Sequence, residues 1–459
     1  MTNSWGPPEG DPIPGIPAFF IEPPQPVAAR RRKRIAPIIP TTIALAVLTM
    51  IGGVAVINRS TAPTITANSD GSPLDTVTLP VKVASLPSST VSGGATTASS
   101  AAPVATPAPA TQLAPPMTFP GPAKEFPPGG LYEGSRPPQF VLVSFDGAAD
   151  QSLLDRWTAV SAKTQAHMSF FLSAVYLLGK EHRELYQGPR HGPGESSIGF
   201  APTGGVPTAE WMTTTVQGLQ AAQRAGHELG MHFGGHWCGA GGVRSWNTED
   251  WQTDLQKSED LALNVDANNG LDPAVGSPFL VKPIGARTPC LEGNLNLLEP
   301  ALVAKGYRYD ASKTRNLTEW PTAGNGVWQY GFPSIAIAGY KLALLAVDYS
   351  INYNMVANHG QADPKRAAEI EPLVYDGYMN AFNQIYYGNR APLELSNHFT
   401  HMSHDAYNNA VEKFVLNVCV KPEVHCVSYR EATDWMDAHK DGIAGYQKGS
   451  FTPLPKPVG

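Results

Sequence analysis

Hydrophobic and polar positions divide the chain into stretches of different character. From residue 137 onward, short apolar runs alternate with amphipathic stretches. The runs are Gln139–Phe145, Met168–Leu172, Glu228–Met231, Leu280–Gly285, Tyr307–Tyr309, Leu342–Val347, Leu393–Leu395 and Val427–Tyr429. Between most of them lie helical patterns at Ser152–Lys163, Ala209–Ala225, Thr248–Asn264, Leu295–Lys305, Arg366–Tyr387, Tyr407–Asn417 and Arg430–Ala438. Strand–helix alternation repeated in this way predicts an α/β fold with a parallel sheet. A globular region of about 300 residues is the size of a single barrel of that class.

Upstream, the pattern is different. Residues 1–34 are rich in Pro and Gly and end in the basic run Arg30-Arg31-Arg32-Lys33-Arg34, with too little apolar surface for a core. Residues 35–57 contain no charge and are long enough for a transmembrane helix. About thirty residues precede that run, and it is longer than the apolar region of a cleaved signal. The five cations on its N-terminal side place that end in the cytoplasm and everything downstream outside the membrane. Residues 58–136 are dominated by Thr, Ser, Ala and Pro and read as a disordered spacer. Within it, a short β-like piece, Val77–Val83, has no clear assignment. The domain map is thus a cytoplasmic tail (1–34), an anchor (35–57), a spacer (58–136), a catalytic domain (137–440) and a tail (441–459).

Composition narrows the function. Charged residues are 16% of the chain and the net charge is −6, so the chain has no general basic surface and nucleic acid is not expected as its main partner. Four cysteines are too few for a disulfide-built scaffold. The sharpest local signal is Gly226-His227-Glu228-Leu229-Gly230-Met231-His232-Phe233-Gly234-Gly235-His236-Trp237-Cys238. His232 and His236, with three residues between them, suit a metal when a turn or helix brings them to one side. His227-Glu228 is not a zincin motif, because His232 stands one residue too far along. Asp146 directly follows an apolar strand, where a carboxylate is costly unless it is paired or ligating. Nearby Asp150 is placed to cap the helix that follows. Arg287, Asp310 and His398 stand at other predicted strand ends.

In this order the residues resemble the polysaccharide deacetylases, carbohydrate esterase family four. The family's TFDDG, HxxxH, RxP, aspartate-after-GY and LxLxH motifs correspond to Ser144-Phe145-Asp146-Gly147, His232 to His236, Arg287-Thr288-Pro289, Gly306-Tyr307-Arg308-Tyr309-Asp310, and Leu393-Glu394-Leu395-Ser396-Asn397-His398. The resemblance implies a distorted (β/α)7 barrel that removes N-acetyl or O-acetyl groups from a polysaccharide or peptidoglycan. It implies that His232 and His236 hold a divalent metal, zinc in most members. Asp146 becomes the general base, Arg287 its positioning partner, Asp310 the partner of Arg287, and His398 the general acid. It also makes Cys238 and Cys290, at neighbouring strand ends, a plausible disulfide, with Cys419 and Cys426 as the second pair. A Cys₂His₂ zinc site built on Cys238 and Cys290 is the competing arrangement.

One departure matters. Gly147 occupies the place of the family's metal-binding second aspartate. Three arrangements are compatible with that: Asp146 serves the metal itself, Asp150 reaches in, or the domain is a catalytically inactive glycan-binding relative. Asp348, after the Leu342–Val347 run, is a further carboxylate that the pattern reads as a cap or loop contact. Residues 176–208 form a Gly/Pro-rich insertion, holding His182, Arg190 and His191, that predicts a substrate wall.

Overall fold

The structure is a computed structural model that describes residues 118–121, 124–200 and 208–456. The expected cytoplasmic tail and anchor, and the spacer before residue 118 with its Val77–Val83 piece, lie outside the described residues. Among the described residues, no helix is long and apolar enough to cross a membrane.

The fold is mixed α/β. Its strands are β1 (Gln139–Gly147), β2 (Ser169–Leu172), β3 (Glu228–Met231), β4 (Gly285–Ala286), β5 (Tyr309–Arg315), β6 (Thr322–Gly324), β7 (Val327–Ile335), β8 (Leu344–Leu345), β9 (Leu393–His398) and β10 (Val424–Cys426). Parallel pairing runs from β1 through β2, β3, β4 and β5 to β7. β8 pairs antiparallel with β7, Val347 just after it bridges Ser396 of β9, and β9 runs parallel to β1, so the pairings return to their start. β10 pairs with the first residues of β1. Helices Gln151–Thr164, Ala209–Arg224, Thr248–Leu263 and Pro364–Tyr386 connect successive strands. Their apolar faces pack with the strands into a main core that includes Phe140, Leu142, Trp157, Phe170, Leu219, Ile370 and Phe414, and a second cluster around Phe233, Trp251, Leu255 and Leu298. Burial of this apolar surface is the main stabilising term.

Several element boundaries differ from expectation for identifiable reasons. The 280–285 run is strand only at Gly285–Ala286. Pro283 has no N–H to give a ladder, and the Leu280 and Val281 N–H groups go instead to Gln223 Oε1, both at 3.2 Å. Strand β5 starts at Tyr309 rather than ending there, which puts Asp310 inside the sheet. The hairpin β6–β7 was not expected; it turns at Asn325 and Gly326, both at positive φ (46° and 88°), the conformation a two-residue hairpin requires. The last strand is Val424–Cys426, not 427–429. Ser428 there makes a capping box with Glu431 and starts the helix Tyr429–Ala438.

Candidate active site

The residues of interest meet at the C-terminal ends of the parallel strands. Asp146 on β1 and His398 on β9 are register partners. His232 follows β3, with its N–H donated to Leu172 O, and Arg287 follows β4, with its N–H donated to Met231 O (both 2.9 Å). Four sequence-distant residues are therefore brought together by strand pairing alone.

Arg287 is the centre of the polar network and is fully buried. Its Nη1 donates to Asp146 Oδ1 at 2.6 Å and to Ser396 Oγ at 3.1 Å. Its Nη2 donates to Ser144 Oγ at 2.9 Å and Tyr429 Oη at 3.2 Å, and its Nε to Ala311 O at 3.1 Å. The rings of Phe171 and Phe332 lie 4.1 and 4.5 Å from the guanidinium carbon. Below, Tyr429 donates to Glu394 Oε2 at 3.0 Å, and Glu394 pairs with Arg315 at 2.7 Å. Burial alone would raise the Asp146 pKa, but the charge of Arg287, helped by His232 and His398, holds it below the ordinary carboxylate value. Asp146 is thus a fixed carboxylate whose second oxygen, Oδ2, takes no part in the Arg287 bond.

The expected Asp310–Arg287 contact is not made. Asp310 is fully buried, its Oδ1 accepts from Ser312 Oγ, and burial pushes its carboxyl up to about 7. Ser312, two residues on and on the same face of β5, takes the place expected for Arg287, while Arg287 bonds the intervening Ala311 carbonyl. The carboxylate that does hold a site residue is Asp348. Its Oδ1 accepts from His398 Nδ1 at 2.7 Å and its Oδ2 from the His398 backbone N–H at 2.8 Å. Burial opposes the charged imidazole, yet the Asp348 charge and hydrogen bond, with the Asp146 charge, outweigh it and push the His398 pKa up to about 9. Asp348 opens the helix Asp348–Met355, and in the sequence it showed only as the end of an apolar run. Asp150 does not reach the site. It caps the helix Gln151–Thr164, accepting from Leu153 N at 3.1 Å and Ser152 Oγ at 2.6 Å.

The histidine loop is a tight irregular turn rather than a helix. Phe233 and His236 sit at positive φ (61° and 53°), and this folds His236 back over His232, with ring centroids 4.9 Å apart. His232 Nδ1 donates to Arg287 O at 2.9 Å. That bond sets the tautomer and leaves Nε2 bare, the arrangement of a metal-binding imidazole. Burial lowers the pKa of both rings, that of His236 to about 3. His227 is a core residue accepting from Met168 N at 3.1 Å.

The 176–208 insertion braces this loop. Tyr186 Oη donates to the buried Asp254 at 2.6 Å and accepts from Gly235 N at 2.7 Å and Trp237 Nε1 at 3.1 Å. Asp254 Oδ2 accepts from Gly234 N at 2.9 Å. His191 stacks on Trp237 with centroids 3.4 Å apart. Cys238–Cys290 ties the same loop to the loop after Arg287, and Cys419–Cys426 joins the end of the helix Ala406–Val418 to β10. The sulfurs of Cys238 and Cys290 cluster with a ring nitrogen of His236, all within 4.8 Å. Bonded to each other, they offer no thiolate, so a Cys₂His₂ zinc site does not form here.

Two imidazoles and a carboxylate are the donor types that a divalent cation such as zinc takes, but among the described residues the ligand atoms within 4.8 Å of one another are those of His236, Cys238 and Cys290. His232, His236 and Asp146 are the residues that would hold it.

No protein-family model matches this chain, and no curated protein matches it. Solved structures do. A candidate polysaccharide deacetylase from Mycobacterium smegmatis is 15% identical, with a TM-score of 0.41 over 76% of this chain and 99% of that one. The peptidoglycan deacetylase PdaC from Bacillus subtilis is 9% identical, with a TM-score of 0.34 over 68% and 97%. A CE4 family pseudoenzyme from Bacillus anthracis is 9% identical, with a TM-score of 0.31 over 60% of each chain. At such values the chemistry has to be read from the site itself.

Proposed function

We propose that the protein is a metal-dependent hydrolase of the carbohydrate esterase family four type, removing acetyl groups from the amino sugars of a polysaccharide. The ring of strand pairings is then the distorted (β/α)7 barrel of that family. The observation that carries the reading is the pairing of two oppositely tuned groups on adjacent strands near the His232–His236 pair: Asp146 held ionised by Arg287, and His398 held protonated by Asp348. Amide hydrolysis needs a base for water and an acid for the departing amine. Asp146 takes a proton from the attacking water, and His398 gives its proton to the amine nitrogen as the C–N bond breaks, yielding acetate and a free amine. A bound divalent ion supplies water acidification and carbonyl polarisation. Arg287 and Asp348 orient the acid–base pair and do not touch the substrate. Removal of an O-acetyl group uses the same groups. We further place this domain outside a membrane, anchored by residues 35–57 on the spacer, with an envelope polymer as its substrate.

Gly147 favours a second reading, an inactive glycan-binding relative, because the carboxylate expected beside Asp146 is missing. The two readings separate on the purified full chain, by metal content and acetate release from acetylated glucosamine oligomers and peptidoglycan. Near one metal per chain with acetate released, and both lost in His232→Ala, is the expected outcome. Acetate release that persists in His232→Ala overturns the metal mechanism. A chain with neither metal nor turnover after zinc is supplied, but with retained glycan binding, establishes the second reading.

A further inference from the structure

Strand pairing also brings into the site a hydroxyl that the acid–base scheme does not use. β2 is assigned only to Leu172, but its pairing with the chain after β3 continues: His232 N donates to Leu172 O at 2.9 Å and Ala174 N to Phe233 O at 2.8 Å. Since Leu172 is the register partner of Met231, Ser173 stands beside His232. Side chains alternate along an extended strand. Ser169 reaches Glu228 at 2.9 Å, and the Phe171 ring lies against the Arg287 guanidinium, so the odd-numbered residues of this strand face the polar interior. Ser173 is still extended (φ −82°, ψ 116°) and faces the same way, one step nearer the open end.

Ser173 is 1% exposed, and its Oγ has no hydrogen-bond partner among the described residues. Leaving a buried hydroxyl unpaired costs about 1–3 kcal/mol, and such a group calls for a partner that the protein itself does not provide. The second observation is the backbone at Gly147. Its φ is +106°, which strains any L side chain, and a Cβ there would meet Tyr176 at 3.4 Å. A carboxylate at that position is strained by the backbone, which leaves a place for an oxygen donor from another strand.

We propose that Ser173 Oγ is that donor, a ligand to the divalent cation held by His232 and His236. The inference rests on the metal reading given above. It is tested by titrating the full chain with Zn²⁺ against a chromophoric chelator, using wild type, Ser173→Ala, Ser173→Thr and His232→Ala, with Co²⁺ absorption to report coordination. Ser173→Ala is expected to weaken zinc binding at least about tenfold and to alter the cobalt bands. Ser173→Thr, which keeps the hydroxyl on an extended backbone, is expected to restore both. Metal-free Ser173→Ala is expected to melt no lower than wild type, because it removes an unpaired buried hydroxyl. Zinc affinity in Ser173→Ala equal to wild type, with binding lost in His232→Ala, overturns the role of Ser173 and leaves the metal site standing. Equal zinc uptake by wild type and His232→Ala, or none by either, overturns the metal reading and this inference together.

Discussion

Arg287 uses all five of its N–H donors on fixed acceptors inside the sheet: Asp146, Ser396, Ser144, Tyr429 and the Ala311 carbonyl. A lysine at this position keeps the charge but not the planar fork. Arg287→Ala leaves Asp146 buried without its counter-charge, and loss of one partner of such a pair costs about 3–5 kcal/mol. The expected result is a matching drop in stability by denaturant unfolding, with activity lost in both variants. Asp348 acts on His398 in a way that pH reveals. With the His398 pKa pushed up to about 9, the alkaline limb of kcat/KM should lie there in wild type and move down by about two units in Asp348→Asn, toward the ordinary value of about 6.5. Stability follows the same linkage. A raised histidine pKa contributes fully below its unfolded value and is lost as pH climbs through the folded one. Asp348→Asn should therefore lower the melting temperature at pH 6 and much less at pH 10. At this scale the sequence displayed His232, His236, Asp146, Arg287 and His398 through their motifs, and the structure brings them together. It offered Asp348, fifty residues before its partner, only as one more candidate carboxylate, because nothing local distinguishes an aspartate that caps from one that pairs across the fold. Asp310 was misread for a related reason: β5 begins at Tyr309, so the aspartate lies within the sheet and meets its same-face neighbour Ser312.

Elements position these side chains with unequal firmness. The strands are cross-linked by ladder hydrogen bonds, whereas the histidine loop is held by side chains, among them the Tyr186 phenol, Asp254 and the Cys238–Cys290 bridge. Tyr186 bridges Asp254 to Gly235 and Trp237, so Tyr186→Phe removes two bonds to the loop and one to Asp254 while leaving the ring packing intact. It is expected to weaken zinc binding about tenfold, in the range of orienting partners of metal ligands, with only a small shift in melting temperature. Zinc titration beside thermal melts separates the two effects. The insertion that holds Tyr186 read as a substrate wall, and its described contacts include support of the loop. Most strands and helices were legible from apolar period and capping residues. The β6–β7 hairpin carried its signal in Asn325-Gly326 but lacked a clean alternation beside it. The final strand was displaced because Val427 continues the apolar run past the point where Ser428 caps the next helix.

Across the whole molecule, the two disulfides differ in reach. Cys238–Cys290 closes 52 residues of sequence and Cys419–Cys426 only 7. Loop entropy assigns about 4 kcal/mol to the first and about 2 kcal/mol to the second. Paired Cys→Ser substitutions should reproduce that order in urea unfolding. The domain order expected from composition rests on how much apolar surface a charge-free, a Pro/Ala/Ser/Thr and an alternating stretch can each bury, and its part before residue 118 lies outside the described residues. The longer bridge has a practical corollary. It joins two loops that strand pairing brings to one end of the sheet, and it forms only where thiols can be oxidised. Chain produced in a reducing compartment should therefore contain the same strands yet a loosened His232–His236 turn and free thiolates that compete for zinc. The history of a preparation would then decide how much metal it holds, and two samples of identical sequence and similar circular dichroism could differ in activity until one of them is reoxidised.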